Sequence, residues 1–383
     1  MNENEASRAF LKGNEAALSG PGHAAVERID RRRFLIRLGG SIAAITVTGT
    51  SVGALLGCQD APDVKPGEGE RWSSRNPFPN ADASIQPVPG TRPEVTPLED
   101  HYQMFNNPAL PTHSLEDWHL KVEGLVERPF EWTLDEIKRH EPLHAFITLS
   151  CISNPIAGPL ISTTRWTGTS LQRLVPLWKL KPEATHLKIY GADGFYETVA
   201  LETIQADERV MLAYAWDGVP LPMEHGFPLR IYIPSRYGMK QPKWIVSIEA
   251  TDHWEPGFSV VKTWDKDAIM ETTSVIDTVM LSNEAAAANA HGCVLIGGIA
   301  HAGARGISKV EMQVDDGAWQ EAQLRPPLSE LTWVLWRCEW PFEEGAHTFS
   351  VRTYDGTGTL QEEEPSPPYP DGATGIHQKT ERV

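Results

Sequence analysis

Cys151 closes an apolar run that begins at His144, and the turn Ile152-Ser153-Asn154-Pro155 follows it. A thiol in that position packs as a small apolar group, attacks as a nucleophile, or binds a metal as a thiolate. No cysteine-protease pattern lies nearby, and no second protein ligand stands at metal spacing. A metal thiolate here would therefore need a cofactor to supply most of the coordination. A second concentration of chemistry runs from His225 to Lys243 and holds Arg230, Arg236 and Lys240 as well. Arg contacts a phosphate in bidentate fashion and Lys contacts it as a point charge. Gly238 lets the backbone approach an anion closely. The plain alternative for this cluster is a solvated basic face.

The frame for these residues is an ordinary globular one. The chain has 383 residues, 40% apolar and 22% charged, which excludes a disordered, collagen-like or polytopic membrane protein. Its net charge of -17 disfavours nucleic acid as a partner. Four cysteines make no disulfide scaffold, and no Cys-x-x-Cys-His is present to attach a c-type haem. Residues 96–255 mix short strands and helices. Strands are expected over 118–124, 144–151, 210–214, 229–233 and 244–250, and helices after the capping box at Thr133 and over 169–177. Arg165 and Trp166 are assigned to a turn. From about 270 the pattern becomes strands only, with a hairpin turn at Asp316-Gly317. Some seven short strands suggest an immunoglobulin-like sandwich. Cys293 and Cys338 both fall on its strands, as two buried thiols or as a disulfide pair.

The first residues read as an address. Arg31-Arg32-Arg33-Phe34-Leu35-Ile36-Arg37 precedes a Gly- and Thr-diluted apolar stretch and resembles a twin-arginine export signal. Leu55-Leu56-Gly57-Cys58 resembles a lipobox, with Cys58 as the lipid-anchored residue; an ordinary cut nearby is the alternative. The expected organisation is a signal over 1–57, a flexible tether over 58–95, a catalytic domain over 96–255, and a sandwich with a Pro-rich tail over 256–383. The destination is the periplasm or cell envelope.

The strings FITLSCISNPIAGPLISTTRWTGTSLQRLV and LAYAWDGVPLPMEHGFPLRIYIPSRYGMKQPKWIVSIE resemble the core of the sulfite-oxidase-like molybdopterin oxidoreductases. GIAHAGARGISKVEMQVDDGAWQEAQL and PPLSELTWVLWRCEWPFEEGAHTFSVRTYDGTG resemble that family's immunoglobulin-like dimerisation domain. The resemblance implies an α+β, sulfite-oxidase-type molybdopterin-binding domain followed by an all-β sandwich that forms a homodimer. It implies a molybdenum–molybdopterin cofactor (Mo-co) with Cys151 as the protein ligand to the metal. His225, Arg230 and Lys243 match family cofactor contacts, and Gly238, Lys240, Tyr102, Gln103 and Asn154 are added to the cofactor-binding set. Asn154 is equally a turn cap. Tyr214 and Arg236 are expected in the substrate pocket beside Cys151. Sulfite oxidases carry an Arg for the substrate oxyanion about where Met104 stands, which argues against sulfite. The expected activity is oxygen-atom transfer on a small oxo-acceptor or oxo-donor, with S-oxide or N-oxide reduction ahead of sulfite oxidation. Electrons pass to or from a separate haem or quinone-linked partner. The non-enzyme rival is an anchored binding lipoprotein.

Overall fold

The computed structural model describes residues 65–105, 110–111, 114–281 and 292–383, so Arg31–Arg33 and Cys58 lie outside the described residues. Ten strands build the first half: β1 (Leu120–Gly124), β2 (Phe130–Trp132), β3 (Pro142–Ser150), β4 (Ile161–Ser170), β5 (His186–Gly191), β6 (Tyr196–Ala200), β7 (Met211–Trp216), β8 (Val219–Pro220), β9 (Arg230–Tyr232) and β10 (Ile245–Thr251). Three short helices interrupt them: α1 (Leu134–Lys138), α2 (Leu171–Leu174) and α3 (Leu201–Ala206). α1 starts on the expected capping box, in which the Thr133 hydroxyl accepts from Glu136 N and the Glu136 carboxylate accepts from Thr133 N. That exchange satisfies donors a helix start otherwise leaves unpaired.

One sheet runs β2-β1-β10-β5-β6, with β1 and β10 parallel. The other runs β3-β4-β7-β8, with β9 added to β7. Leu120, Val122, Leu187, Ile189 and Ile248 from the first sheet meet Leu212 and Ile231 from the second in one core. β5 shows how the sequence specifies this: its residues alternate between half-buried and buried along the strand. Segment 169–177 is not the single helix expected. Thr169 and Ser170 finish β4, and only Leu171–Leu174 is α-helical before a 3-10 turn over Val175–Trp178. Arg165 and Trp166 sit mid-strand in β4 rather than in a turn.

The second half holds β11 (Thr273–Leu281), β12 (Cys293–His301), β13 (Ile307–Val314), β14 (Gln320–Glu321), β15 (Gln323–Leu324), β16 (Val334–Pro341), β17 (Ala346–Asp355) and β18 (His377–Arg382). They form two four-stranded sheets, β11-β12-β16-β15 and β14-β13-β17-β18. Ile276, Ile296, Met312, Trp336 and Phe349 fill the space between them. Cys293 and Cys338 are free thiols: Cys338 faces Ile296 across the β12–β16 ladder, while Cys293 faces Pro341. The turn after β15 reaches back to the first half, where Trp333 N donates to Thr148 Oγ1 at 2.8 Å and Thr148 N donates to the Leu331 carbonyl at 3.0 Å.

Residues 65–95 do not behave as a tether. Buried Arg325 draws this segment in: it pairs with Glu94 at 3.0 Å and donates to the Ile85 and Asn80 carbonyls at 2.8 and 2.9 Å. Arg92 grips Asp277 through two nitrogens, and the Ser73 hydroxyl donates to Asp217. A buried guanidinium needs acceptors, and a Pro-rich strand of irregular backbone supplies them without a sheet.

Candidate active site

β3 ends at Ser150, and the next residue, Cys151, begins a tight turn. Cys151 N donates to the Leu160 carbonyl at 3.0 Å, and Asn154 N donates to the Cys151 carbonyl at 3.1 Å. The Asn154 side-chain oxygen accepts from Leu160 N at 2.8 Å, so Asn154 serves the turn and does not line the cleft. The Cys151 sulfur lies 2.9 Å from the Ser153 hydroxyl and opens into a cleft of about 170 Å³. His101, Tyr102, His225, Arg230, Gly238 and Lys243 share that cleft. The structure therefore brings together the thiol and two of the four expected cations.

Arg230 is buried against the Trp166 ring, 5.0 Å from its centroid, and donates to the His225 carbonyl at 3.1 Å. Burial lowers its pKa to about 10. Lys243 Nζ donates to the Met104 and Glu224 carbonyls at 3.0 and 2.9 Å and sits 4.3 Å from the Trp244 ring centroid. Burial, helped by the charge of Arg230, lowers its pKa to about 7. Neither cation has a carboxylate within 4.0 Å among the described residues. Two neutral histidines complete this wall. Burial pushes His225 down to about 2, and His101, stacked on Tyr102 and packed against Trp166 and Trp216, down to about 3. His101 Nε2 and Gln241 Oε1 are buried with no partner among the described residues. Gly226 has φ of 105°, and a Cβ there would press on Lys243 at 3.0 Å, so glycine is what allows the cation its place. A Cβ on Gly238 would stand 3.2 Å from the Tyr102 hydroxyl.

Besides Asn154, four expected site residues fall elsewhere. Lys240 points away and pairs with Glu197 at 2.6 Å, both nearly unexposed. Arg236 lines a separate depression with His186, Trp254 and Lys266. Tyr214 is excluded by strand alternation: on β7, Met211 and Ala213 face the cluster that holds Trp166 and Trp216, while Leu212 and Tyr214 face the core of Leu171 and Leu174. Gln103 is exposed and does not reach the cleft. Conversely, His101, Ser153, Asp193, Phe195 and Trp264 line the cleft without having been singled out. Two of them left a trace in the sequence, His101 as the neighbour of Tyr102 and Ser153 in the turn after Cys151.

A soft sulfur, two cations without counter-ions, unpartnered polar atoms and glycine where a backbone comes close are the donor set for an anionic organic cofactor carrying a metal. Among the described residues no group of three or more His, Cys, Asp or Glu gathers to hold a metal unaided. This defines a cofactor-dependent metal-thiolate oxidoreductase site. Residues 107–259 match the family model described as the oxidoreductase molybdopterin binding domain. This match and the relatives below support a sulfite-oxidase-like molybdopterin oxidoreductase, and the matched domain is the one that takes Mo-co. It is 29% identical to a nitrate reductase [NADPH] of Fusarium oxysporum over 257 residues, 55% of this chain and 28% of that protein. It is 26% identical to the mitochondrial sulfite oxidase of Rattus norvegicus over 310 residues, 70% of this chain and 56% of that protein. The chain thus spans about half or less of these relatives. The sulfane dehydrogenase SoxCD of Paracoccus pantotrophus has the same fold, with a TM-score of 0.63 at 19% identity over 85% of this chain and 95% of that one.

The cleft fits the cofactor: Cys151 would hold the metal, Arg230 and Lys243 its phosphate, and His101, His225, Gln241 and the Gly238 backbone its pterin edges. When bound, Mo-co supplies two-electron redox chemistry coupled to oxygen-atom transfer. Lys243 makes anion capture pH-dependent. Its pKa near 7 means an anion recruits a proton to it, so sulfate, whose own charge is constant in this range, should bind the cofactor-free protein about ten-fold more weakly at pH 8 than at pH 6. Calorimetry across that range checks this, and Lys243→Met should flatten the dependence.

Proposed function

We propose that the protein transfers an oxygen atom between water and a small neutral substrate, with S-oxide or N-oxide reduction favoured, and exchanges electrons with a separate haem or quinone-linked partner. The observation that carries this is the distribution of cations. Among the described residues, Arg230 and Lys243 are the Arg and Lys that line the cleft; they donate to the His225 and Glu224 carbonyls, and in this reading both serve the cofactor. Arg236, the remaining candidate for a substrate oxyanion, lines another depression. Met104, Phe105, Phe195 and Trp264 add apolar lining, Ser153 and Ser259 add hydroxyls, and Asp193 adds a carboxyl. A dianion entering there meets apolar surface, neutral hydroxyls and a carboxyl, with no further Arg or Lys among the described lining residues. The second reading is sulfite oxidation, which several relatives carry in their names.

A dye-linked assay separates the two. Wild type should turn over a neutral S-oxide faster than sulfite, by the roughly 10- to 200-fold that one charge-assisted contact of about 1.5–3 kcal/mol supplies. Arg236→Ala should leave that ratio unchanged. Efficient sulfite oxidation that collapses in Arg236→Ala would return sulfite as the substrate. Loss of molybdenum from every preparation would favour the binding-lipoprotein rival.

The C-terminal pair of sheets is proposed as the immunoglobulin-like dimerisation domain, and Cys58 as a lipid anchor in the cell envelope. Export by the twin-arginine route is tested by changing Arg31, Arg32 and Arg33 together to Lys. An unprocessed precursor should then accumulate in the cytoplasm, and normal mature protein outside it would refute the route.

A further inference from the structure

β12 ends in His301, which is only 3% exposed and has neither ring nitrogen in a hydrogen bond among the described residues. Burial pushes its pKa down to about 4, so the ring is neutral near pH 7 and carries one donor and one acceptor. The Thr332 backbone favours the charged ring slightly but stands outside hydrogen-bond geometry. Leaving two such atoms dry costs roughly 1–3 kcal/mol each, so polar partners are required.

His301 faces a chamber of about 30 Å³ between the two halves of the protein. That volume holds roughly two waters. Ser150 and Tyr237 form its inner wall, one residue before Cys151 and one before Gly238. The Tyr237 oxygen accepts from Glu271 N at 3.1 Å, which leaves its O–H available as a donor. Arg92, Ala157, Gly158 and Ile161 are shared between this chamber and a larger, open depression of about 450 Å³. Arg92 is neutralised by Asp277 at 2.7 Å, so no free cation of its own recruits an anion here. The lining calls for water.

We propose that the chamber is a hydration site anchored by His301 and the inner end of a water route that reaches the back of the Cys151 turn from the outer depression, apart from the substrate cleft. The purpose of the route rests on the oxygen-atom-transfer reading. Reduction of an S-oxide takes two protons from solvent and two electrons from the redox partner. The sulfur–oxygen bond breaks, and the oxygen leaves as one water. Substrate and cofactor occupy the cleft during that step, so a second opening gives the water and protons their own path.

The test uses the cofactor-loaded protein and begins with a crystal structure that resolves single waters. Wild type should show ordered water within hydrogen-bond distance of His301. His301→Leu, similar in size and without polar atoms, should lose that water, and S-oxide turnover should fall about ten-fold, the low end for outer-shell changes. His301→Gln should keep both the water and most of the rate. A dry chamber in active wild type, or a His301→Leu variant that keeps its water or its full rate, overturns the inference. If His301→Leu does not fold, the wild-type and Gln structures still decide. Wild type that holds the water yet turns over no oxo-substrate overturns the functional reading and leaves the hydration site standing.

Discussion

Replacing Cys151 with serine should take turnover below detection, a loss of more than the 10- to 100-fold typical of residues that merely support a ligand. The change is confined to one atom. The turn around it is held by backbone contacts, Cys151 N to the Leu160 carbonyl and Asn154 N to the Cys151 carbonyl, which serine keeps. The Asn154 side chain, which accepts from Leu160 N, is untouched. What goes is the soft, ionisable sulfur, and a hydroxyl is neither ionised near neutral pH nor suited to such a metal. The thermal midpoint should stay close to wild type, since volume and packing barely change. The molybdenum spectrum should shift or vanish with the rate. Full activity in Cys151→Ser with molybdenum present would remove the thiolate from the mechanism.

Elements with one wet and one dry face were the legible ones. The Thr133–Glu136 capping box and the alternation of β13 before Asp316-Gly317 appear where the residues announce them. β4 was hidden for a physical reason: eight of its ten residues are buried on both faces, so no polar face alternates with an apolar one. Its Thr163 amide is served instead by a buried partner outside the sheet, Thr96, whose Oγ1 accepts from Thr163 N at 3.0 Å.

The site divides along the same line. Cys151 and the segment 225–243 were visible because their residue types are rare in an acidic chain. Which way each cation points was not, because partners distant in sequence decide it. Lys243 is aimed by the Glu224 carbonyl and the space Gly226 leaves. Arg236 follows Ser235, whose φ of 59° turns the chain, and this loop places it in the separate depression. His101 looked like an ordinary loop residue; only packing against Trp216 and His225, at 5.1 and 5.2 Å, makes it part of the site.

Lys240 offers the sharpest separation of structural from cofactor roles. Its ammonium and the Glu197 carboxylate, 2.6 Å apart, have side chains 8% and 0% exposed. Removing one member of such a pair strands a buried charge and costs roughly 3–5 kcal/mol, whereas replacing both is often neutral. Lys240→Met should therefore lower stability by about that amount near pH 7, read as a drop in the urea midpoint. Burial already pushes the Glu197 pKa up, with Lys240 the main opposing influence. Without Lys240 the folded-state pKa rises further above its unfolded value. The folded variant then binds the extra proton, and its deficit should shrink as pH falls through that raised pKa. The double variant Lys240→Met with Glu197→Gln should recover most of the loss. It should also load molybdenum to the wild-type level, because Lys240 turns its charge away from the cleft. A double variant that is stable but cannot load molybdenum would make Lys240 a cofactor ligand after all, released from Glu197 when the cofactor arrives.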